Sequence, residues 1–120
     1  MSTILVVDDR SSSRELLRTV LDNAGYEVIE AADGAEALEK ARESEPDLIL
    51  LDLQLPGIDG FGVIGALRSE ARFSQTPIVA ITASAMQGDR EKALKSGFTS
   101  YITKPVRLPA LRAEVERLLR

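Results

Sequence analysis

The chain has no cysteine and no histidine among its 120 residues, and each absence removes a class of chemistry. Without cysteine there are no disulfides, no thiolate metal sites and no thiol nucleophile. Without histidine there is no imidazole for acid and base work near neutral pH, and most transition-metal sites are closed off. Long apolar runs are missing as well: stretches such as Leu48 to Leu51 fall far short of the ~20 residues of a membrane span. The first residues lack the basic-then-apolar layout of a secretory signal. A cytoplasmic location without membrane insertion is the default expectation. The basic residues are scattered through a chain of net charge −4, which lacks the concentrated positive footprint of a protein that binds nucleic acid directly. Linkers are lacking too, with no Ser/Gly-rich segment, charge block or internal repeat. One domain is expected over residues 1–120, with no output domain attached. Chemistry is left to Asp, Glu, Ser, Thr and Tyr oxygens and to Lys and Arg cations.

What remains is patterned. Apolar residues make up 44% and charged residues 28% of the chain, the proportions of an ordinary globule. Short apolar runs at residues 4–7, 27–31, 48–51, 78–81 and 101–102 have strand character. Between them apolar residues fall at helical spacing: Leu16, Leu17, Val20, Leu21 and Ala24; Ala37, Leu38 and Ala41; Val63, Ile64 and Leu67; and Leu108, Leu111, Val115, Leu118 and Leu119. Gly25, Pro46, Pro77 and Gly97 punctuate the boundaries. Alternation of strand and helix makes the strands parallel, with right-handed crossovers and helices on both faces. Runs one, three and four are continuously apolar, as expected when both faces are buried. The second alternates with Glu, and the fifth is short and mixed with Ser and Thr. The second and fifth therefore belong at the edges, which agrees with a five-stranded parallel α/β sheet of flavodoxin-like order 2-1-3-4-5. The fourth helical stretch, over 87–96, has only Ala93 and Leu94 as apolar anchors, with Met86 just before it. It is expected to be weakly held.

In an open parallel sheet, ligands bind beyond the carboxyl ends of the strands. The residues there are polar: Asp8 and Asp9 follow the first run, Asp52 the third and Thr82 the fourth, and Lys104-Pro105 come just after the fifth. Three carboxylates at one edge cannot all stay ionised beside a single lysine without raising each other's pKa or destabilising the fold. A hard divalent cation relieves the excess. Mg²⁺ suits a site that combines a few carboxylates with several waters and phosphate oxygens. Asp9 and Asp52 are expected as direct ligands, with Asp8 direct or through water. A metal, a lysine and a hydroxyl around a carboxylate make a cradle for a phosphoryl group, whose transfer needs little beyond positioning and electrostatics. Asp52 is the expected nucleophile, because its strand lies between those carrying Asp8/Asp9 and Thr82.

Each residue has a plainer reading on its own. Asp8-Asp9 can cap a helix starting near Ser11 to Ser13, and Asp59-Gly60 can form a turn. Thr82 can be an ordinary strand residue, Lys104 a solvated one and Tyr101 a half-buried edge aromatic. Their convergence on one sheet edge outweighs these readings.

The segments Leu5-Val6-Val7-Asp8-Asp9, Leu51-Asp52-Leu53-Gln54-Leu55-Pro56-Gly57-Ile58-Asp59-Gly60, Ile81-Thr82-Ala83 and Lys104-Pro105 occur in an order that resembles the receiver (CheY-like) domain of bacterial two-component response regulators. The resemblance extends over essentially the whole chain. It implies Asp52 as phosphoacceptor, Asp8 and Asp9 as the acidic metal pair, the Leu53 carbonyl as a further Mg²⁺ ligand, Thr82 as switch hydroxyl and Lys104 as phosphoryl contact. It also implies a cis Lys104-Pro105 bond, and Tyr101 as the switch aromatic that moves inward when Thr82 engages the phosphoryl group.

Some positions depart from the common pattern. Leu55 stands where Met is frequent, a conservative exchange. Gln54 and Ser84 occupy the positions that influence the lifetime of the phosphoryl group, Gln54 through the placement of the hydrolytic water. Ser100 stands where winged-helix regulators usually carry Asp, which argues against their type of dimer and leaves a monomer or weak dimer. The run from Thr82 to Arg90 is most similar to receivers of hybrid histidine kinases and of DivK-like single-domain regulators. Such a module takes its phosphoryl group from a histidine kinase or histidine phosphotransfer protein and presents the surface of helix four, strand five and helix five to a downstream protein target. The first helix would lie near the donor's four-helix domain. It is a signalling switch, catalysing only its own phosphorylation from the donor and its own dephosphorylation. The alternative is a Mg²⁺-dependent aspartyl-phosphate phosphatase or phosphotransferase for small molecules. That class usually carries a second Asp two residues after the nucleophile as general acid, where this chain has Gln54.

Overall fold

Three of the five strands are buried almost to the last atom, which decides the layering of the whole molecule. The computed structural model describes residues 1–83 and 88–120. In chain order the elements are β1 (Thr3–Val7), α1 (Ser11–Asn23), β2 (Glu27–Ala31), α2 (Gly34–Ser44), β3 (Leu48–Asp52), α3 (Gly60–Arg68), a 3-10 turn (Ala71–Phe73), β4 (Ile78–Thr82), α4 (Asp89–Lys95), β5 (Ser100–Thr103) and α5 (Leu108–Leu118). The strands form one parallel sheet of order β2-β1-β3-β4-β5, the order that the apolar runs imply. Every residue of β3 and β4 is buried.

Side chains alternate across each strand, so the sheet divides the core in two. On one face Leu5, Val7, Ile49, Leu51, Ile78 and Ala80 pack against Ala37 and Ala41 of α2, Val63, Ile64 and Leu67 of α3, and Ala93 of α4. On the other, Ile4, Val6, Leu48, Leu50, Val79 and Ile81 meet Leu17 and Leu21 of α1 and Leu111 and Val115 of α5. Each such buried aliphatic side chain contributes roughly 1.5–3 kcal/mol relative to its exposed state.

Local chemistry sets the helix ends. Asp33 caps α2 by accepting the Glu36 N–H at 2.8 Å, and Glu36 reaches back to the Ala32 N–H at 2.6 Å. Asp59 caps α3, accepting the Gly62 N–H at 2.9 Å. The first turn of α3 therefore starts at Asp59-Gly60 instead of continuing the loop. Glu45 ends α2 in the left-handed region at φ 45°, just ahead of Pro46. The α1 N-cap is Arg10, which makes no side-chain cap bond.

The far end of the sheet is stapled by Arg68. Its Nη1 donates to the carbonyls of Phe73 and Thr76 at 2.6 and 2.8 Å, and its Nε to that of Gly97 at 3.0 Å. Burial holds this guanidinium below the ordinary arginine value. Of the two expected anchors of α4, Ala93 is buried, whereas Leu94 is 39% exposed because it points away from the sheet. Lys92 adds a contact to that of Ala93, its ammonium lying 4.5 Å from the centre of the Phe61 ring. Ser84 and Met86, named above, and the first residue of the expected helical stretch 87–96 lie outside the described residues. Among the described residues no helix is long and apolar enough to cross a membrane.

Candidate functional site

The register of the sheet builds the site. Val7 pairs with Leu51, so the next residues, Asp8 and Asp52, leave neighbouring strands side by side. Asp52 pairs with Ile81, and Thr82 with Thr103, which brings Thr82 and then Lys104 to the same edge. Asp8, Asp52 and Thr82 are 2, 4 and 2% exposed, and Asp9 faces solvent.

The carboxylates converge. Asp8, Asp9 and Asp52 each offer one oxygen, and these oxygens all lie within 4.8 Å of one another. The ammonium of Lys104 sits between two of them, 2.9 Å from Asp52 Oδ2 and 3.2 Å from Asp8 Oδ2. Burial by itself pulls its pKa down, but the hydrogen bonds and charges of Asp52 and Asp8 outweigh burial and hold it above the ordinary lysine value. The other oxygens are held by backbone: Asp52 Oδ1 accepts the Gln54 N–H and Asp8 Oδ1 the Arg10 N–H, both at 2.9 Å. Asp8 thus braces the turn before α1 instead of capping the helix. Its carbonyl accepts from Arg14 Nη1 at 2.7 Å, a contact that nothing in the sequence marks. Arg14 sits in the first turns of a helix rich in basic and polar residues, and only the fold shows that it reaches back to the strand end.

A cleft of about 140 Å³ opens over the carboxylates, lined by Asp9, Arg10, Asp52, Gln54, Ala83 and Lys104. Leu53, whose carbonyl the resemblance names as a metal ligand, is not among the cleft residues. That carbonyl accepts the Gly60 N–H at 3.1 Å and closes the loop between β3 and α3, and the side chain joins the core. Gln54, one residue on, lines the cleft in its place. The approach of Gly60 is tight enough that a Cβ there would stand 2.7 Å from Leu53 Cα.

Thr82 lines an adjoining recess of about 230 Å³ with Leu53, Gln54, Asp59, Phe61, Asp89 and Lys92, so Gln54 borders both spaces. Tyr101 is half-buried against the core and borders a groove with Pro105, Arg107, Ala110 and Glu114. Burial, with the charge of Asp89 added, raises its phenol above the ordinary tyrosine value. The Lys104-Pro105 bond is cis. A larger groove of about 530 Å³, on α2 beside Ile58, includes none of these groups.

Three hard oxygen donors facing one ammonium carry excess negative charge at a partly open cleft. That donor set fits a small divalent cation that retains waters, and it offers no nitrogen or sulfur for a softer metal.

Residues 4–116 match the family described as the response regulator receiver domain. The chain belongs to that family. Among relatives of this receiver is the polar-differentiation response regulator DivK of Brucella ovis, 39% identical over 107 residues that cover 89% of this chain and 87% of DivK. The chemotaxis protein CheY4 of Vibrio cholerae superposes with a TM-score of 0.93 at 34% identity, covering 99% of each chain. The receiver domain of a sensor histidine kinase of Pseudomonas aeruginosa, which has a magnesium ion coordinated in its active-site cleft, superposes with a TM-score of 0.90 at 34% identity, covering 98% of this chain and 97% of that one.

Proposed function

We propose that this receiver accepts a phosphoryl group on Asp52 in the presence of Mg²⁺, and that the adduct changes the affinity of the α4, β5 and α5 surface for a downstream protein. One observation carries the reading: a buried Asp52 carboxylate, 2.9 Å from the Lys104 ammonium, with oxygens of Asp8 and Asp9 inside 4.8 Å. Like charges this close repel one another, and the Lys104 ammonium offsets only one of the three.

Asp9 and Asp52 would hold the ion directly, with Asp8 direct or through water, and the loop carbonyl would come from Gln54, which lines the cleft where Leu53 does not. When bound, Mg²⁺ supplies positive charge beside the phosphoryl oxygens. The chain's own groups do the rest. The Gln54 N–H on Oδ1 and the Lys104 ammonium on Oδ2 fix the plane of the Asp52 carboxylate at the cleft, and one of its two oxygens is the nucleophile. That oxygen forms the new O–P bond as the P–N bond of a donor phosphohistidine breaks, and the nitrogen keeps the bonding pair and takes a proton. Lys104 neutralises a phosphoryl oxygen, and Thr82 donates a hydrogen bond to another. Tyr101 then moves inward toward the recess that Thr82 occupies. The donor is a histidine kinase or histidine phosphotransfer protein and the setting is cytoplasmic. The receiver acts as a monomer or weak dimer without contacting nucleic acid, and it turns over no substrate beyond its own phosphoryl group.

Incubation with Mg²⁺ and acetyl phosphate, followed by intact-mass spectrometry, tests this. Wild type gains one labile phosphoryl group, and both Asp52→Asn and wild type in EDTA gain none. An adduct that persists in Asp52→Asn removes Asp52 from the role. Turnover of a small phosphate ester without any adduct favours the phosphatase alternative.

A further inference from the structure

We propose that Arg14 is a positioning residue for the metal-binding turn, acting through the Asp8 carbonyl, and that Glu30 holds it in place. The inference rests on the Mg²⁺ reading above and adds a residue outside the cleft.

Asp8 is gripped at each polar atom. Its N–H donates to the Ala31 carbonyl at 3.1 Å, Oδ1 accepts from the Arg10 N–H at 2.9 Å, Oδ2 from Lys104 at 3.2 Å and the carbonyl from Arg14 Nη1 at 2.7 Å. The last of these differs in kind, because the Asp8 carbonyl belongs to the peptide unit that joins Asp8 to Asp9. A peptide is planar, so fixing its oxygen fixes the direction in which the chain leaves toward Asp9. Asp9 is exposed, and its carboxylate is repelled by the two buried ones. With the peptide free to rotate, it would swing into water. The charge-assisted bond from Arg14 opposes that rotation.

Arg14 is itself anchored. Its side chain is 19% exposed, and its Nε pairs with Glu30 Oε1 at 3.3 Å, while Arg18 Nη1 holds the other oxygen of Glu30 at 2.7 Å. A planar guanidinium can hold carbonyl and carboxylate together in a fixed fork, whereas a lysine ammonium is a single flexible point charge. Glu30 lies on the edge strand at the alternating polar position, and Arg14 on the helix that crosses it, so the pair clamps α1 to β2 beside the turn.

Two roles for Arg14 predict opposite signs. As a mere nearby cation it competes with Mg²⁺, so its removal tightens binding. As a positioning residue its removal weakens binding. Groups that orient metal ligands typically cost about 10–100-fold in affinity when lost, and Arg14→Gln is expected near the lower end, at about tenfold. The test is a Mg²⁺ titration at fixed ionic strength, read from ¹H-¹⁵N shifts of the Asp9 and Gln54 amides. Arg14→Lys keeps the charge and does not restore wild-type affinity. Glu30→Gln keeps the guanidinium, loosens its anchor and weakens binding by a smaller factor. Lys95→Ala, which removes an equal charge from an exposed position in the last turn of α4, stays within about twofold of wild type because a solvated charge outside the clamp is screened. A folded Arg14→Gln protein that binds Mg²⁺ as tightly as wild type, or more tightly, overturns the proposal. If that variant fails to fold, unchanged affinity in Glu30→Gln overturns it. Wild type that takes up no Mg²⁺ overturns the metal reading itself, and this inference with it.

Discussion

Replacing Asp9 with Asn removes one negative charge and leaves side-chain volume nearly unchanged. In a protein whose carboxylates were only strand-end caps, the exchange would be neutral or mildly destabilising. Here the oxygens of Asp9, Asp8 and Asp52 lie within 4.8 Å of one another. Two unit charges at that distance repel by about 0.9 kcal/mol in water and about 3.5 kcal/mol at an effective dielectric of about 20. Asp9 is exposed, so the lower figure applies, and salt trims it further. Relief from both neighbours comes to about 1–2 kcal/mol, or roughly 3–10 °C in Tm for a domain of this size. The two ion pairs of Lys104 with Asp8 and Asp52 stay intact. In EDTA, Asp9→Asn should therefore melt above wild type. Mg²⁺ reverses the order. At about ten times its Kd an ion stabilises the state it binds by RT ln 11, about 1.4 kcal/mol. Wild type gains this, and the variant, short of a direct ligand, gains little. Thermal unfolding followed by circular dichroism, with and without Mg²⁺ at constant ionic strength, reads both effects. A variant that melts at or below wild type in EDTA refutes the electrostatic reasoning. Equal Mg²⁺ shifts in the two proteins refute the assignment of Asp9 as a ligand.

Lys104→Met leaves Asp8 and Asp52 buried without their cation and should destabilise the metal-free protein by about 3 kcal/mol, the low end for a broken buried pair because Lys104 is partly exposed; chemical denaturation measures it. The pKa of Lys104 is raised above its ordinary 10.5, so its contribution is complete below that pH and is lost as pH rises through the folded-state value. The gap between wild type and Lys104→Met should stay level up to about pH 10 and close above it, and a pH-independent gap would contradict this. Gly34→Ala would place a Cβ 2.3 Å from the Ile58 carbonyl oxygen, pushing on the loop after Asp52. A loss of about 1–3 kcal/mol is expected, with amide shifts reaching Gln54. Arg68→Met strands the carbonyls of Phe73, Thr76 and Gly97 and should cost about 3 kcal/mol, while leaving Mg²⁺ affinity unchanged because the staple sits at the opposite end of the sheet.

Features governed by strand register are legible in the sequence, and features governed by single peptide orientations are not. Continuous apolar runs mark strands buried on both faces, alternation marks the edges, and a parallel sheet then has only one end at which Asp8, Asp52, Thr82 and Lys104 can emerge. That chain of reasoning needs residue types and a period of two, both of which a sequence supplies. The 3-10 turn at Ala71–Phe73 has no such period, and neither has the loop after β3. There the Leu53 carbonyl accepts the Gly60 N–H and Gln54 lines the cleft, an arrangement that no count along the chain can detect. Arg14 is hidden for the same reason. Its partners are a carbonyl, which every residue has, and a glutamate on an edge strand, where glutamate is ordinary. Placing these four polar side chains at one edge therefore requires only the sheet. Aiming them requires the turn between Asp8 and Asp9, and the turn is held from outside the cleft by a residue whose spacing and type announce nothing.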